Sequence, residues 1–521
     1  MLNSGRVFMV MYNIEVERGG ITSVMLNRSR ALSDKGFDVS LVTLDDNPRY
    51  PEITRQLREI GRLSDDVDII NVYDEIRDSN TTKSMSNEQK NYYKKCSDLY
   101  EDGFQVQLEE VKTKKWARYF NNGVYVKYKK WDDYGNLSHI DYFDEQRNRI
   151  YREVFSIEGY VKRKIYFNKN TNKQHQVLNF TEDGFCYLNT WLNPETEKLQ
   201  QHFLFTHNSD EVTSFRDNKS LHAHWLNSLC AKSVSRPFVL CDGIGSTHKI
   251  LAMDSSVAHR IYPIHTNHFE KPYLIGSPIK ESHSNLLNNF KEVESIVVLS
   301  EEQKRDLIKQ YGNYDNVHVI PNSIVNKEID LTTKGFSEEV SIVARYDEVK
   351  RLDHAILAFK RVIKKFPHAK LNLYGFGPDE GRLNKVIREH NLQGNVFIKG
   401  YSRDVASVYK NSIVTLLTSQ YEGFGLVIAE SMMYGTPVIS YDIDYGPRDI
   451  ISDGIDGFLV KSGDIKDLAD KITYALENQS IILDMGKKAA KNVRDKFTNE
   501  IIVNKWLDLF TKLREKELLA K

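Results

Sequence analysis

Residues 414–441 read VTLLTSQYEGFGLVIAESMMYGTPVISY and decide the fold. Val414 to Ser419 is a short apolar run with β-branched residues, which predicts a buried strand. Residues 420–425 predict a tight turn with two glycines, and residues 426–433 predict a helix that ends before Gly435 and the next strand. Such a unit is typical of a doubly wound α/β domain, in which a ligand lies beyond the carboxyl end of the strand, at the N-terminus of the helix.

Two carboxylates frame this unit. Glu422 lies in the turn, and Glu430 lies in the helix slightly over two helical turns further on. At ~1.5 Å of rise per residue they stand roughly 12 Å apart, which is about the span from a sugar to a ribose across a diphosphate. The free N–H groups and positive dipole of the helix N-terminus suit phosphate, and the glycines let a ligand approach the backbone. The alternative is a surface helix with one capping and one solvated carboxylate.

At these residues the sequence resembles a known family. EGFGLVIAE matches the E-x7-E motif of retaining glycosyltransferases of the glycogen synthase and sucrose synthase type, which have the GT-B fold, and MMYGTPVISYD matches the usual continuation of that motif. The resemblance implies that Glu422 contacts the donor sugar and Glu430 the ribose hydroxyls. It also implies that Phe424, Gly425 and Leu426 line the nucleotide site.

The composition limits the class of protein. A chain of 521 residues predicts two or three domains, and 72 basic against 72 acidic residues give no net charge that would imply a partner such as nucleic acid. Four scattered cysteines without C-x-x-C spacing predict reduced thiols in a cytoplasmic protein. No apolar run approaches the ~18 residues of a membrane span, so we expect at most peripheral association with the inner face of the membrane. Val7 to Ile14 predicts a first strand and not a signal peptide.

The fold class that we predict is α/β: GT-B, two Rossmann-like doubly wound domains with an inserted antiparallel β domain. Alternating strands and helices assign residues 1–74 and 215–323 to an N-terminal acceptor domain, and residues 324–498 to a C-terminal donor-nucleotide domain. Residues 499–521 predict an amphipathic helix, which the resemblance sends back onto the first domain. A helix on the membrane surface is the alternative, which the mixed charges disfavour.

Residues 75–214 form the insertion. From about Gln105 to Asn208 aromatic and polar residues alternate between turn-like breaks, which predicts antiparallel hairpins. Residues 112–173 hold 15 Lys and Arg against 7 Asp and Glu. A positive sheet with exposed aromatic residues suits a polyanionic polymer, whereas the alternative is a solvated face whose charges protect the edge strands. Such a sheet is also a surface for homo-oligomerisation.

Cations and a glycine turn complete the predicted diphosphate site. Arg345 and Lys350 follow a strand and match the R-x4-K pattern of the family, in which the two cations neutralise the departing diphosphate. We therefore expect no metal requirement. Residues 17–20 (ERGG) predict a turn after the first strand, and the resemblance brings the N–H of Gly20 close to the donor phosphate because Gly20 opens the helix. An ordinary strand-to-helix turn is the alternative.

The sugar and base positions are predicted from the same resemblance. In IHTNH, residues 264–268, the T-x-H spacing of the family selects His268 next to the donor sugar, and the choice between His268 and His265 stays open. A packed or surface histidine is the alternative. Gly377 lies in a turn of the kind that lines the nucleotide pocket in the family, and Tyr401 is a candidate neighbour of the base.

Two local predictions concern secondary structure. His222 and His224 are placed on one face of a strand before a helix, and with no further ligands nearby they do not predict a metal site. Ser300 and Gln303 predict a capping box at the start of a helix.

Features along nearly the whole chain resemble a narrower group. ERGG, CDGIGS, IHTNHFE, SQYEGFG and YDIDYGPRD are similar to segments of bacterial teichoic acid α-N-acetylglucosaminyltransferases and poly(glycerol-phosphate) α-glucosyltransferases, and the similarity is weakest in the insertion. In those relatives the inserted β domain mediates oligomerisation, so the resemblance implies a homo-oligomer here.

The resemblance implies a retaining α-glycosyltransferase that moves GlcNAc or glucose from UDP-GlcNAc or UDP-glucose to hydroxyls of a wall polymer such as poly(ribitol phosphate) or poly(glycerol phosphate). It implies no cofactor, and the departing phosphate serves as the base. One alternative is an O-glycosyltransferase of Ser-rich or Ser-Asp-repeat adhesins, which are also polyanionic. The other is a non-catalytic scaffold partner of a glycosyltransferase, although such partners tend to lose the cations and the first Glu that this chain keeps. The sequence decides neither the sugar, nor the acceptor, nor the number of subunits.

Overall fold

The structure is a computed structural model of the 521-residue chain. It describes residues 4–16, 20–47, 49–111, 114–207, 209–332 and 334–520. These residues form two parallel sheets flanked by helices and one antiparallel sheet inserted within the first domain, which confirms the predicted fold class. Within those ranges no helix combines the length and the apolar character that crossing a bilayer demands.

The N-terminal domain starts with alternating strands and helices. They are β1 (Arg6–Met11), α1 (Ile21–Ser33), β2 (Asp38–Thr43), α2 (Tyr50–Glu59), β3 (Asp68–Asn71) and α3 (Val72–Asn80). The predicted turn at residues 17–20 lies outside the described residues except for Gly20.

The insertion is a meander in which each strand pairs antiparallel with the next along the chain. Its elements are α4 (Asn87–Ser97), β4 (Gln105–Val111), β5 (Lys114–Asn121), β6 (Val124–Trp131), β7 (Leu137–Phe143), β8 (Arg149–Phe155), β9 (Val161–Phe167), β10 (Gln174–Phe180), β11 (Cys186–Leu192), β12 (Leu199–Phe205) and β13 (Val212–Phe215). The predicted hairpins are confirmed. The predicted boundaries at residues 74 and 214 fall inside α3 and β13.

A polar side chain organises each of six successive hairpin turns. In each turn its oxygen accepts a hydrogen bond from a backbone N–H two to four residues further on. Short polar side chains of this kind stabilise turns by mimicking the backbone. These residues recur at nearly constant spacing, at Asp132, Asp144, Ser156, Asn168, Thr181 and Asn193. The insertion is therefore a structural repeat of one strand and one turn.

The excess cations of the insertion mostly have carboxylate partners. Their ion pairs are Lys127 and Lys129 with Glu101, Arg118 with Glu109, Arg149 and Arg152 with Asp141, Lys164 with Glu153, and Lys169 with Asp144. These contacts weigh against a continuous positive face on the sheet.

The chain then returns to the N-terminal domain. Its elements there are α5 (Asn218–Ala231), β14 (Phe238–Cys241), α6 (Thr247–Leu251), β15 (His259–Pro263), α7 (Glu281–Leu287), β16 (Ser295–Val298), α8 (Glu301–Tyr311) and β17 (Val317–Val319). The parallel sheet has the order β17-β16-β15-β14-β1-β2-β3. The carboxyl ends of β15, β14, β1 and β2 are therefore neighbours along one edge of the sheet, about 4.8 Å apart.

The C-terminal domain repeats the pattern. Its elements are β18 (Glu339–Val343), α9 (Leu352–Val362), β19 (Lys370–Tyr374), α10 (Glu380–Glu389), β20 (Val396–Gly400), α11 (Val405–Asn411), β21 (Val414–Leu417), α12 (Leu426–Met433), β22 (Val438–Asp442), α13 (Pro447–Ile450), β23 (Phe458–Lys461), α14 (Ile465–Glu477), α15 (Gln479–Phe497) and α16 (Asn499–Ala520). The strand order is β20-β19-β18-β21-β22-β23. The order of strands reverses direction between β18 and β21, the kind of position at which doubly wound sheets bind ligands.

The last helix, α16, packs on the N-terminal domain, as predicted. One apolar face of it, with Ile502, Trp506 and Phe510, is buried in the hydrophobic core that contains β1 and β14. The rings of Phe510 and Phe238 stack with centroids 4.0 Å apart. The helix thus links the two domains by apolar burial.

Two local predictions need correction. His222 and His224 lie in α5 and not in a strand, because buried residues recur along this segment at helical spacing. Ser300 caps α8 by accepting from the N–H of Gln303 at 3.1 Å, but the reciprocal half of the capping box is not formed. The Gln303 amide instead donates to the carbonyl of Thr266 at 2.9 Å.

We expect Trp506→Ala to destabilise the protein by about 3–5 kcal/mol, because truncating a large buried aromatic side chain removes apolar burial and leaves a cavity. Denaturant unfolding would measure this loss. Lys505→Ala, one residue away on the exposed face of α16, is the control and should change stability by less than about 0.5 kcal/mol. Equal stability of the two variants would contradict the packing described for this helix.

Candidate active site

The turn that follows β21 is tied to the turn that follows β18. The Thr418 hydroxyl donates to the carbonyl of Lys350 at 2.8 Å, and the N–H of Gln420 donates to the carbonyl of Val349 at 2.8 Å. Two segments far apart in the chain are therefore neighbours at the carboxyl edge of the sheet. The turn after β21 carries Glu422, the first carboxylate of the E-x7-E motif. The turn after β18 carries Lys350, the second cation of the R-x4-K pattern.

Glu422 and Lys350 form an ion pair in this position. The Lys350 ammonium lies 2.5 Å from Oε1 of Glu422, which also accepts from the Ser419 hydroxyl at 2.7 Å. The Glu422 side chain is 16% exposed, so the pair is largely shielded but still reaches solvent. A charged hydrogen bond in such a place is stronger than one on an open surface. The carboxylate and the ammonium neutralise each other in this pair.

Arg345 lies apart from this pair. Its side chain is 67% exposed, and its guanidinium donates to Asp347 at 2.7 Å. Exposed pairs of this type contribute little stability. The guanidinium can therefore leave Asp347 at small cost.

The helix after the turn, α12, has an open N-terminus. Gly425 is its N-cap residue with a φ of 86°, and no side chain caps the first N–H groups. A left-handed φ of this kind favours glycine. Leu426, the first residue of the helix, is half-buried against the core of the domain. The Phe424 side chain is buried in the same core against Phe497, so only its backbone is available to a ligand.

Glu430 is half-buried on α12 and bonded to the neighbouring helix. The Tyr409 hydroxyl, at the end of α11, donates to Oε2 of Glu430 at 3.1 Å. Burial raises the pKa of Glu430, while the hydrogen bond from Tyr409 lowers it. One carboxylate oxygen, Oε1, remains for another partner.

Glycines after β19 allow the neighbouring turn to approach. A Cβ at Gly375 would lie 1.9 Å from the carbonyl oxygen of Ala344, and a Cβ at Gly377 would lie 2.1 Å from that of Tyr346. Gly377 is therefore explained by contact within the protein. Phe376 and Tyr401 beside it are exposed, with ring centroids 6.0 Å apart in a T-shaped arrangement.

The N-terminal domain contributes a second helix N-terminus. Gly20 is the N-cap residue of α1, no side chain caps the helix, and a Cβ at Gly20 would meet nothing within 4 Å. The Cβ position of Gly20 is therefore free, and any role of Gly20 in phosphate binding stays a prediction.

His268 lies in the loop that follows β15 and is completely buried. Its Nδ1 accepts from the Gln303 amide at 3.2 Å, and the second N–H of that amide is directed to the Thr266 carbonyl. Burial lowers the pKa of His268 to about 3, so the ring is neutral at pH 7. Because Nδ1 accepts, Nε2 carries the proton, and Nε2 has no partner among the described residues.

His265 belongs to a buried triad that the sequence analysis missed. Its Nε2 lies 3.1 Å from Oδ1 of Asp242, and the Arg28 guanidinium lies 2.7 Å from the same oxygen. The Asp242 side chain is fully buried, and Arg28 also lies over the ring of Trp506 at 4.5 Å. Arg28 and His265 keep the pKa of Asp242 low despite its burial. Asp242 lies in the CDGIGS segment that the sequence analysis singled out, and this was the available signal.

The two domains meet at these loops. A Cβ at Gly423 would lie 2.1 Å from the carbonyl oxygen of His265, so the turn that carries Glu422 rests directly on the backbone of the histidine loop. Lys280 lies over the ring of Tyr421 at 3.9 Å. The structure thus brings Glu422, Lys350 and the histidine loop together in one interdomain site.

Further contacts join α8 to the C-terminal domain. Arg448 pairs with Glu302 at 2.6 Å and with Asp444 at 3.2 Å, and the Tyr445 hydroxyl donates to Asp306 at 2.7 Å. Burial, followed by the charge of Asp444, raises the pKa of Glu302 to about 7. This interface contains more carboxylates than one arginine can neutralise.

In the described part of the chain, no three His, Cys, Asp or Glu side chains converge on a position for a metal ion. The predicted independence from metal stays a prediction.

Comparisons with known proteins identify the family. The model of the family described as glycosyl transferases group 1 matches residues 330–494, which lie in the C-terminal domain and its linker. The poly(ribitol-phosphate) α-N-acetylglucosaminyltransferase of Staphylococcus aureus is 30% identical over 509 residues, which cover 97% of this chain and 99% of that protein. This chain belongs to the group 1 glycosyltransferases.

Two further relatives support the assignment of this glycosyltransferase. The poly(glycerol-phosphate) α-glucosyltransferase of Bacillus subtilis is 26% identical over 394 residues, 74% of this chain and 57% of that protein. A crystal structure of a TarM variant from S. aureus, in complex with UDP, fondaparinux and α-GlcNAc-glycerol, matches with a TM-score of 0.82 and 29% identity over 97% of this chain and 99% of that one. The resemblance inferred from sequence and the class of enzyme are confirmed.

We expect Gly423→Ala to lower kcat/KM of sugar transfer by about 10- to 100-fold, because the new methyl group forces the Glu422 turn away from the His265 carbonyl, and small misplacements at a reacting centre are costly. Steady-state kinetics with a UDP-sugar would measure this. Gly394→Ala is the matched control, since a Cβ there meets nothing within 4 Å. Transfer by Gly423→Ala at the rate of the control would show that the loop contact is dispensable.

The interface carboxylates predict a pH effect on stability. The pKa of Glu302 is raised in the folded protein from 4.5 to about 7, so the folded state holds a proton between these pH values that the unfolded state releases. The contribution of Glu302 to the free energy of unfolding therefore falls as the pH rises from 4.5 towards the folded-state pKa of about 7, and it is lost above that pH. The groups that face Glu302 are Asp306, Asp444, Asp449 and Arg448.

Between pH 5 and pH 8, the free energy of unfolding of the wild type should fall by on the order of 1–2 kcal/mol relative to that of Glu302→Gln. One pKa unit corresponds to about 1.4 kcal/mol, and solvent screens part of the interaction. Chemical denaturation across this range measures the difference, and Glu515→Gln, at an exposed site on α16, is the control. A constant difference from pH 5 to 8 would contradict the raised pKa.

Proposed function

We propose that this glycosyltransferase moves GlcNAc or glucose from a UDP-sugar, with retention of configuration, to a hydroxyl of a phosphate-containing wall polymer such as poly(ribitol phosphate) or poly(glycerol phosphate). The observation that carries the proposal is the Lys350–Glu422 pair beside the uncapped N-terminus of α12, at the meeting of both domains. Similarity over nearly the full length to a poly(ribitol-phosphate) transferase supports the acceptor.

The donor diphosphate replaces Glu422 as the partner of Lys350. A diphosphate at the N-terminus of α12 accepts hydrogen bonds from the open N–H groups and attracts the ammonium of Lys350. Arg345, held only by an exposed contact with Asp347, joins from the rim. Gly20 adds the N-terminus of α1 from the other domain. These groups stabilise the charge that develops on the leaving phosphate.

The sugar and ribose are held by the groups that remain. Once Lys350 turns to the phosphate, Glu422 accepts hydrogen bonds from sugar hydroxyls. The Nε2–H of His268, buried without a partner, donates to a sugar oxygen after a small opening of the loop. Oε1 of Glu430 accepts from the ribose. The exposed rings of Phe376 and Tyr401 offer a face for the base.

The reaction needs no protein nucleophile in this proposal. The acceptor hydroxyl oxygen bonds to the anomeric carbon on the side from which UDP departs, while the bond from that carbon to the phosphate oxygen breaks. The proton of the hydroxyl passes to the departing phosphate oxygen. Lys350 and Arg345 stabilise that oxygen before it is protonated.

We propose in addition that the chain forms a homo-oligomer through the edge strand β4. Leu108 and Val111 on this strand are exposed apolar residues, and β4 is the last strand at its side of the sheet within the described residues. An edge strand of this type pairs readily with a second copy. The number of subunits follows from light scattering.

The activity test uses purified protein with UDP-GlcNAc and UDP-glucose. Poly(ribitol phosphate), poly(glycerol phosphate) and a Ser-Asp-repeat peptide serve as acceptors. Transfer to a polymer, with the α-anomer in the product by NMR, is the expected result. Transfer to the peptide alone would overturn the proposed acceptor, and no transfer from either donor would overturn the proposal as a whole.

Lys350→Ala and Glu422→Gln should each lower kcat at least about 100-fold, because each removes a charge that acts on the leaving group or the sugar. Lys350→Ala should also weaken UDP binding, measured by calorimetry, whereas Glu422→Gln should bind UDP at least as tightly because no carboxylate competes for Lys350. Lys385→Ala, an exposed lysine on α10, is the control. Wild-type turnover by both site variants would refute the assignment of the site.

A further inference from the structure

Lys249 lies outside the donor site and has no carboxylate partner. It belongs to α6, and only 4% of its surface is exposed. Its ammonium lies 4.8 Å from the ring centroid of Tyr12, which follows β1. Tyr12 itself is 50% exposed. Among the ion pairs of the described residues none includes Lys249, and its one recorded contact is with this half-exposed ring.

The stem of Lys249 is buried and fixes the ammonium, which is not one of the buried polar atoms without a partner and therefore reaches solvent. Burial of the side chain lowers the pKa of Lys249, while the charge of Asp45 acts in the opposite direction. Asp45 is engaged by a short hydrogen bond from the Tyr50 hydroxyl. A fixed ammonium that reaches solvent and has no carboxylate partner among the described residues can take an anion in place of water.

The position of Lys249 relates it to the donor site. His265 follows β15 and touches the Glu422 turn, Asp242 follows β14, and Tyr12 follows β1. These strands are consecutive in the sheet. Two strand spacings amount to about 10 Å, so Tyr12, with Lys249 beside it, lies on the order of 10 Å from the histidine loop that touches the Glu422 turn.

The insertion also contacts this edge of the parallel sheet, close to β2 and α3. Arg163 on β9 pairs with Asp46, which lies just after β2, and Lys162 lies 3.9 Å from Asp74 on α3. The insertion therefore packs against this edge of the sheet through two ion pairs, in which both cations have carboxylate partners.

We propose that Lys249 binds a phosphate oxygen of the acceptor, next to the unit whose hydroxyl is glycosylated, and that the Tyr12 ring covers this contact. The inference rests on the proposed function, because it assigns the residue that recognises the acceptor charge at that site. Its ligand class is a phosphate mono- or diester. A phosphate located there sets which hydroxyl of the repeating unit reaches the anomeric carbon.

Lys249→Met tests the charge while keeping the volume. We compare kcat/KM for a short ribitol phosphate oligomer with kcat/KM for free ribitol, a neutral acceptor with the same hydroxyls. The wild type should prefer the phosphate-bearing acceptor, and the ratio should fall at least about 10-fold in Lys249→Met, mostly through KM. Lys309→Met, at an exposed lysine on α8, is the matched control and should keep the wild-type ratio.

A second measurement needs no variant. Glycerol phosphate should inhibit wild-type transfer competitively with the acceptor and not with the UDP-sugar, whereas glycerol at the same concentration should not inhibit. This result keeps the test valid if Lys249→Met fails to fold, as judged by its melting temperature and UDP binding.

An unchanged ratio in folded Lys249→Met, or equal inhibition by glycerol and glycerol phosphate, would overturn the inference. Failure of the proposed function has a different signature, because the wild type would then transfer sugar to neither polymer. If the wild type transfers sugar to the oligomer and Lys249→Met keeps the full preference for the phosphate-bearing acceptor, the proposed function holds and Lys249 has no part in it.

Discussion

The site depends on one close contact between the two domains. Gly423 has no side chain, and a Cβ there would lie 2.1 Å from the carbonyl oxygen of His265. The turn that carries Glu422 can therefore rest on the loop that carries His268. Because that loop is also held by Gln303 and by the Arg28–Asp242–His265 triad, contacts within the N-terminal domain set the position against which the C-terminal turn packs. Apolar packing of α16 on the N-terminal domain helps to hold the two domains in this arrangement.

Charge neutralisation stabilises the ionised groups of the site. Lys350 is paired with Glu422, and Asp242 is shared by Arg28 and His265. Each pair avoids a buried charge without a partner, which would cost several kcal/mol. A donor diphosphate can exchange with Glu422 without leaving Lys350 unpaired. Lys249 differs because it has no such partner, and this difference separates an acceptor contact from the donor site.

Much of the fold follows from local patterns. The unit from β21 to β22 was predicted almost to the residue, because a buried apolar strand, a glycine turn and a Gly-terminated helix each have a distinct sequence signal. The surroundings of individual residues were harder to predict. Phe424 lies next to a motif glycine, yet its side chain is buried against Phe497. Gly377 stays a predicted neighbour of the nucleotide, and its missing Cβ also makes room for Tyr346. Both outcomes depend on segments distant in the chain.

The sequence by itself determined the architecture and the family, because periodicity and motif spacing are local properties of the chain. Only the tertiary structure decided that Lys350 pairs with Glu422, that Arg28, Asp242 and His265 form one buried triad, and that Lys249 has no counter-ion. These facts depend on which side chains meet across the sheet edge and the domain interface. The contacting residues are 72 positions apart for Lys350 and Glu422 and 214 positions apart for Arg28 and Asp242, and no spacing rule encodes such contacts.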